Sequence, residues 1–441
     1  MTAAAAQAVK KSALASVQDA EQHLLLPTYD RYKVLLRRGK GVWLYDAEGK
    51  KYLDFLSGIG VNALGYGHPA VVKAIRQQTA TGLLHISNLF FHDFQSELAQ
   101  KLSKISGLER AFFTNSGTEA VEGALKLARA YAKAKAKTGK PKWRVLALEN
   151  SFHGRTMGAV AATWTKKYRE PFGPLMPGVE FVKFDDVADL EKKFDNTVCA
   201  ILLEPLQGEG GIHFVSPAFL KKARALTQKS GALLIADEIQ CGLGRTGKWF
   251  AFQWSGVKPD VVTLAKPIAG GLPLGAILCT QAVADVIHPG MHGTTFGGGP
   301  LACAVAVAVL NTIEKDHLLA HNAEVGAYLR GKLEQVAKKH AIVREVRGKG
   351  LMMGAELSDS EAAKFVARHM LENGVIANRT HEVVIRLLPP FIVEKKHVDI
   401  LAKALDKALT AWDRQKPHVS QKKENVGHQK SAAKSGGKKG S

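Results

Sequence analysis

Six short apolar runs dominate the middle of this chain: WRVLALEN (143–150), VEFVKFDD (179–186), TVCAILLEP (197–205), GALLIADEI (231–239), DVVTLAK (260–266) and LGAILCT (274–280). Each is long enough for one strand, and their cores show little alternation of polar with apolar residues. A strand with one wet face alternates, so these strands need cover on both faces. Helical patterns over Glu119–Ala136 and Pro217–Ser230 can supply it, the second with proline near its start. The expectation is an α/β domain with a mostly parallel central sheet flanked by helices. In such sheets ligands gather at the carboxyl ends of the strands, where Asp237 and Lys266 stand.

After about residue 315 the texture changes. A helical stretch over 322–340 leads to IVREVRGKGLMMGAEL, a second helix, EVVIRLLPP and a last helix from Glu394 to Trp412, which reads as a smaller α+β domain. Near the start, VWLYDAEGKKYLDFLSGIG reads as a hairpin with its turn at Ala47–Lys50. The first 25 residues have no uninterrupted apolar core and carry Asp19 and Glu21. They read as a mobile lead-in, not an export signal. Residues 415–441 are rich in Gly, Ser and Lys, the composition of a disordered basic tail.

Charge excludes less than it suggests. Of the net +21, the tail contributes +6 through seven lysines and one glutamate. No nucleic-acid-binding pattern accompanies the rest, so attraction of anionic small molecules is the expected use. The four cysteines (Cys199, Cys241, Cys279, Cys303) form no ligand cluster, so no metal site is expected and reduced thiols in the cytoplasm are. No window approaches a membrane span.

Several stretches could carry chemistry. In FFTNSGTEAVEG, Ser116, Gly117 and Thr118 lie between an apolar run and a long helix. They form either an anion cradle at the helix start or an ordinary N-cap, and both can hold together. Asp237 and Glu238 end a strongly apolar strand, where a buried carboxylate needs a cationic partner. Lys266 is either a surface lysine on a tight turn or one placed for chemistry. SFHGRT offers Phe152 to stack on a ring, His153, and Arg155 to fork onto a carboxylate. HGTTFGGGP offers Thr294 and Thr295 as a second phosphate contact. Arg386, inside VVIRLLPP, wants a carboxylate, and together with Arg155 it reads as one of two buried arginines. GLGRTG (242–247) matches GxGxxG formally. The acidic pair precedes it and the aromatic KWFAFQW follows, so no dinucleotide site is expected. A lysine, a buried aspartate, a stacking ring and phosphate cradles together suit pyridoxal phosphate.

With these motifs in order (NSGTEAVEGALK, SFHGRT, EPLQGEGG, ADEIQCGLGRTGKWFAF, TLAKPIAGGLPLGA, TTFGGGPLACA), the chain resembles the class III aminotransferases of pyridoxal-phosphate fold type I, from about Leu26 to Trp412. The resemblance implies a large cofactor-binding domain (66–315), a small C-terminal domain (316–414) and an N-terminal segment (26–65) packing with it. It implies that Lys266 bonds the cofactor aldehyde and carries the catalytic proton, that Asp237 faces the pyridine nitrogen, and that Gln240 reaches the ring hydroxyl. Phe152, beside His153, stacks on the ring. Ser116, Gly117 and Thr118 hold the phosphate, with Thr295 donated across a homodimer interface.

Within the family, GIGVNALGYGHP (58–69) is similar to members acting on acetylornithine. Ile59 stands where ornithine-specific members carry tyrosine. By the same resemblance, Arg155 binds a substrate carboxylate. Arg386 binds the α-carboxylate of glutamate, and Glu209 masks it when acetylornithine enters; 2-oxoglutarate accepts the amine. Val121, Gly123 and Gly299 depart from the usual pattern, though none is assigned to chemistry. Alternatives are another ω-aminotransferase, acting on succinylornithine, succinyl-diaminopimelate, 4-aminobutyrate or ornithine, or a cofactor-binding protein without catalysis.

Overall fold

In the computed structural model, which describes residues 12–136, 139 and 142–415, the apolar runs all become strands. In chain order the strands are β1 (Leu36–Lys40), β2 (Trp43–Asp46), β3 (Lys51–Asp54), β4 (Arg110–Thr114), β5 (Arg144–Leu148), β6 (Val179–Val182), β7 (Val198–Leu203) and β8 (Leu233–Asp237). They continue as β9 (Val261–Leu264), β10 (Gly275–Cys279), β11 (Val343–Lys349), β12 (Met352–Leu357), β13 (Val375–Ile376), β14 (Asn378–Thr380) and β15 (Val384–Leu387).

The central sheet has seven strands in the order β4-β10-β9-β8-β7-β5-β6. Strands β5 to β9 pair in parallel, and only β10 runs antiparallel, against both β9 and β4. Alternate residues of one strand serve opposite faces. Val145 and Ala147 pack with Ala120, Ala124 and Ala128 of the helix Gly117–Lys135, while Leu146 and Leu148 pack with Phe219, Leu220 and Ala223 of the helix Pro217–Ser230. Covered faces on both sides are why the strands could dispense with polar alternation.

The hairpin β2–β3 turns at residues 47–50, and β3 then pairs in parallel with β13, Leu53 opposite Val375. The third sheet, β11-β12-β15-β14, is antiparallel. It shares one core with Val42, Leu53, Phe55 and Leu64 from the N-terminal segment. Val305, Val309 and Ile313 of the helix Pro300–Lys315 join the same core, so packing runs across residue 315. The proposed boundaries at 65/66 and 315/316 therefore divide the chain, not its apolar core.

Residues Ala13–Leu24, expected as part of a mobile lead-in, form a helix capped by Ser12, none of whose residues is buried. The final helix runs Lys395–Gln415, and the basic tail beyond it lies outside the described residues. The GLGRTG segment is a turn followed by a short 3-10 helix at Ala251–Trp254, so the glycines open no helix against the sheet.

Candidate active site

The carboxyl ends of β4, β5, β7, β8 and β9 converge on a cavity of about 260 Å³, lined among others by Thr118, Phe152, Glu204, Asp237, Gln240 and Lys266. Strand order reverses between β5 and β7, the point where open α/β sheets leave a crevice. One residue, Ala265, separates Lys266 from β9, and the Lys266 backbone takes φ 23°, in the left-handed region. That strain is local to a residue the fold over-determines, with Pro267 beside it. Burial, followed among the lowering causes by the nearby Arg386 charge, pushes the Lys266 amine below the ordinary lysine range, against the pull of Glu209, Asp237 and Glu204.

Asp237 ends β8 and is 3% exposed. Register places it opposite Thr263 of β9, whose hydroxyl donates to Oδ1 at 3.0 Å, joined by the Ile239 amide at 3.1 Å. His153 Nδ1 lies 2.7 Å from Oδ2. The buried carboxylate thus has the polar partners its position demands. The neighbouring Glu238 serves structure: its oxygens accept from the amides of Ala251 and Phe252 at 2.9 and 2.7 Å, and burial pushes its carboxyl up to about 7.

Ser116 caps the helix Gly117–Lys135, its hydroxyl accepting from the Glu119 amide at 3.3 Å. The N-cap reading thus holds for Ser116, while Gly117 and Thr118 line the cavity. Thr118 Oγ1 is tied to Thr156 Oγ1 at 2.7 Å and accepts from the amides of Arg155 and Thr156.

Arg386 is 1% exposed on β15. Nη1 makes an ion pair with Glu209 and reaches Gln240 Oε1 at 3.2 Å, while Nε donates to Asn378 Oδ1 at 3.1 Å, its cross-strand neighbour on β14. Burial raises the Glu209 carboxyl, but the Arg386 guanidinium outweighs it and the net shift is downward. The sequence expectation that Glu209 meets Arg386 is what the geometry displays.

Arg155 corrects an expectation: it is not buried. It is exposed at the cavity rim, its guanidinium over the Tyr168 ring at 3.5 Å and 5.6 Å from the Phe152 ring, and no carboxylate of the described residues pairs with it. The second fully buried arginine is Arg245, which donates to the carbonyls of Leu351 and Pro389 and lies over Phe391. Ile59 and Thr295 do not line the cavity. Ile59 is 37% exposed at φ 62°, and Thr295 is exposed, while its neighbour Thr294 bonds Asn115 at 3.3 Å.

Sequence reasoning missed Glu204, which immediately follows β7 much as Asp237 closes β8. Its Oε1 accepts from the Phe152 amide at 2.9 Å and its Oε2 from the Gly208 amide at 3.0 Å. Burial pushes its carboxyl up to about 7. One carboxylate therefore ties the segment carrying Phe152 to the turn carrying Glu209.

The donor set fits pyridoxal phosphate. An amine with a lowered pKa faces the cavity, a carboxylate lies ready for a protonated ring nitrogen, and the long helix presents its N-terminus to an anion. His153 Nε2 is buried without a partner among the described residues, a polar atom that a bound group could satisfy.

Comparison with known proteins agrees in kind. The family model for class-III aminotransferases matches residues 26–409. The acetylornithine aminotransferase of Methanocaldococcus jannaschii is 47% identical over 89% of this chain and 97% of its own length. That of Caldanaerobacter subterraneus is 46% identical, over 88% and 98%. Among solved structures, the ornithine aminotransferase of Toxoplasma gondii superposes with a TM-score of 0.88 at 33% identity, covering 92% of this chain and 97% of that one.

Proposed function

The chain belongs to the class-III aminotransferases, and from that premise we propose that it moves the terminal amine of N2-acetylornithine to 2-oxoglutarate, giving N-acetylglutamate 5-semialdehyde and glutamate. The observation that carries this reading is the Glu209–Arg386 pair. With Arg386 masked, the site suits a donor whose reacting amine has no carboxylate beside it. The exposed Arg155, with no carboxylate partner among the described residues, suits a carboxylate at the far end of such a donor.

The family's cofactor, pyridoxal phosphate, supplies an aldehyde that condenses with amines and a ring that takes up electrons when the adjoining carbon loses a proton. The chain's own residues do the rest. Lys266 Nζ, whose pKa burial lowers, holds and moves the proton. Asp237, fixed by His153 and Thr263, offers a constant negative charge to a protonated ring nitrogen. Phe152 would stack on the ring, and Gln240, beside Arg386, would reach its hydroxyl. The start of the helix Gly117–Lys135 would take the phosphate, held by Ser116, Gly117 and Thr118. When glutamate enters, Glu209 yields Arg386 to its α-carboxylate. Ile59, exposed outside the cavity lining, would give the acylated amine an apolar neighbour where the donor extends past the rim.

The phosphate assignment has a test outside the cavity. Gly275 of β10 faces Thr114, and a Cβ there would stand 2.5 Å from the Ser116 carbonyl oxygen. Gly275→Ala must shift the helix start. It is expected to weaken cofactor binding roughly tenfold, about the cost of overpacking by one methyl. Reconstitution of the cofactor-free variant, followed by absorbance, checks this; unchanged affinity would move the phosphate elsewhere.

A homodimer follows from the same reading. Leu89, Phe90, Phe91 and Phe296 are 87, 63, 101 and 66% exposed, and Thr295 immediately precedes Phe296. So much exposed aromatic surface suits a second copy of the chain, which would receive Thr295 in its own site. The four cysteines are free and buried, which accords with a cytoplasmic location.

The donor assignment is tested by a panel of amines with 2-oxoglutarate, reading glutamate formation. Acetylornithine is expected to lead in kcat/KM, ahead of ornithine by roughly tenfold or more, because a free α-ammonium beside Ile59 finds no partner. Faster turnover of 4-aminobutyrate, ornithine or a succinylated donor would reassign the substrate. Turnover of none would favour a cofactor-binding protein without catalysis.

A further inference from the structure

The turn that carries Glu209 is not loose, despite its glycines. The Gly208 amide donates to Glu204 at 3.0 Å, the Gln207 amide to the His213 carbonyl at 2.9 Å, and the Gly211 carbonyl accepts from Arg347 Nε at 2.8 Å. A backbone held at three points leaves Glu209 only its side-chain torsions. The partners of Arg386 point the same way. With Glu209 turned aside, the guanidinium keeps Asn378 and Gln240, so release does not strand it. Besides Arg386, one side chain holds the Glu209 carboxylate closed. Thr380, 4% exposed at the end of β14, places its hydroxyl 3.3 Å from Glu209 Oε2 and 3.0 Å from the Glu209 carbonyl oxygen.

A hydroxyl has one proton, and both of these neighbours are acceptors. The proton is shared while the carboxylate is closed and passes wholly to the fixed carbonyl when the carboxylate leaves. Opening therefore forfeits part of a hydrogen bond and leaves no buried donor unpaired. We propose that Thr380 is the latch of this gate: a positioning residue, reaching in from the C-terminal sheet, that sets how readily Glu209 gives up Arg386. It thereby sets the balance between a donor with a bare terminal amine and one with a carboxylate beside its amine. The inference rests on the reading of Glu209 and Arg386 given above, and it adds a residue that acts through Glu209 without touching substrate.

Calorimetric binding of glutarate to the holoenzyme tests it, since this dicarboxylate has no amine to react. Thr380→Val should bind glutarate roughly three- to tenfold more tightly than the wild type, at most the worth of one hydrogen bond. Thr380→Ala, which also lacks the hydroxyl, should match it, and Thr380→Ser should behave as wild type. Glu209→Ala should tighten binding further, and adding Thr380→Val to it should change nothing. In turnover, Thr380→Val should raise the KM for acetylornithine relative to that for glutamate. If Glu209→Ala does not tighten glutarate, the gate itself is wrong. If it does, but Thr380→Val and Thr380→Ala leave affinity unchanged or weaken it, or tighten it equally without Glu209, the latch is wrong and the gate stands.

Discussion

Lys266→Ala is expected to lower turnover by about 10⁴-fold or more while the folded chain still takes up its cofactor. The Lys266 amine lines the cavity, and burial lowers its pKa below the ordinary lysine range, which favours release of its proton. A positioned acid–base group contributes roughly 10²- to 10⁴-fold, and losing the covalent attachment removes more. Stability should hold. The lysine side chain makes no hydrogen bond to the described residues, and its charged form is the one burial disfavours. Pre-steady-state absorbance with acetylornithine reads the loss, and a melting curve within a few degrees of wild type assigns it to chemistry. A rate within tenfold of wild type would remove Lys266 from the proton path. In the wild type, the limb of the rate–pH profile belonging to this amine should lie below the usual lysine range, because burial lowers its pKa.

Asp237 should show the second-largest loss, and two substitutions separate its charge from its packing. Asp237→Asn can keep an acceptor for Thr263 and the Ile239 amide, but it removes the negative charge. Breaking a buried charge pair costs roughly 3–5 kcal/mol, so its rate should fall by roughly 10²- to 10⁴-fold with little change in melting. Asp237→Ala should lose the same rate and also stability, since the Thr263 hydroxyl and His153 Nδ1 are left buried without their partner, at roughly 1–3 kcal/mol each. Stopped-flow rates beside denaturant midpoints check both. An Asparagine variant as fast as wild type would mean that the ring nitrogen needs no anion there.

Much of this was legible in the chain because its signals are local. The runs ending at Asp237 and Lys266 read as doubly buried strands from their lack of alternation, and a charged residue closing such a run stands out. Glu204 directly follows β7 and closes its apolar run in the same way, so the same rule would have found it. What escaped depends on partners distant in sequence. Nothing near SFHG says that His153 meets a carboxylate 84 residues on, and nothing near THE in RTHEVV says that Thr380 meets Glu209, 171 residues back. Arginine burial escaped for the same reason. Arg155 and Arg245 both follow a glycine, yet only Arg245 is enclosed, by Pro389, Leu351 and Phe391 from the far end of the chain. The QGEGG turn reads as pliable from its glycines alone, and becomes rigid only through Glu204 and Arg347.

Borohydride reduction of the yellow holoenzyme, followed by peptide mapping, tests the central assignment most directly. Reduction fixes the cofactor to whichever amine carries it. The pyridoxyl mass is expected on the peptide containing Lys266, in near-stoichiometric yield, and on no other lysine. Label on a different lysine, or full retention of the mass in Lys266→Ala, would contradict it.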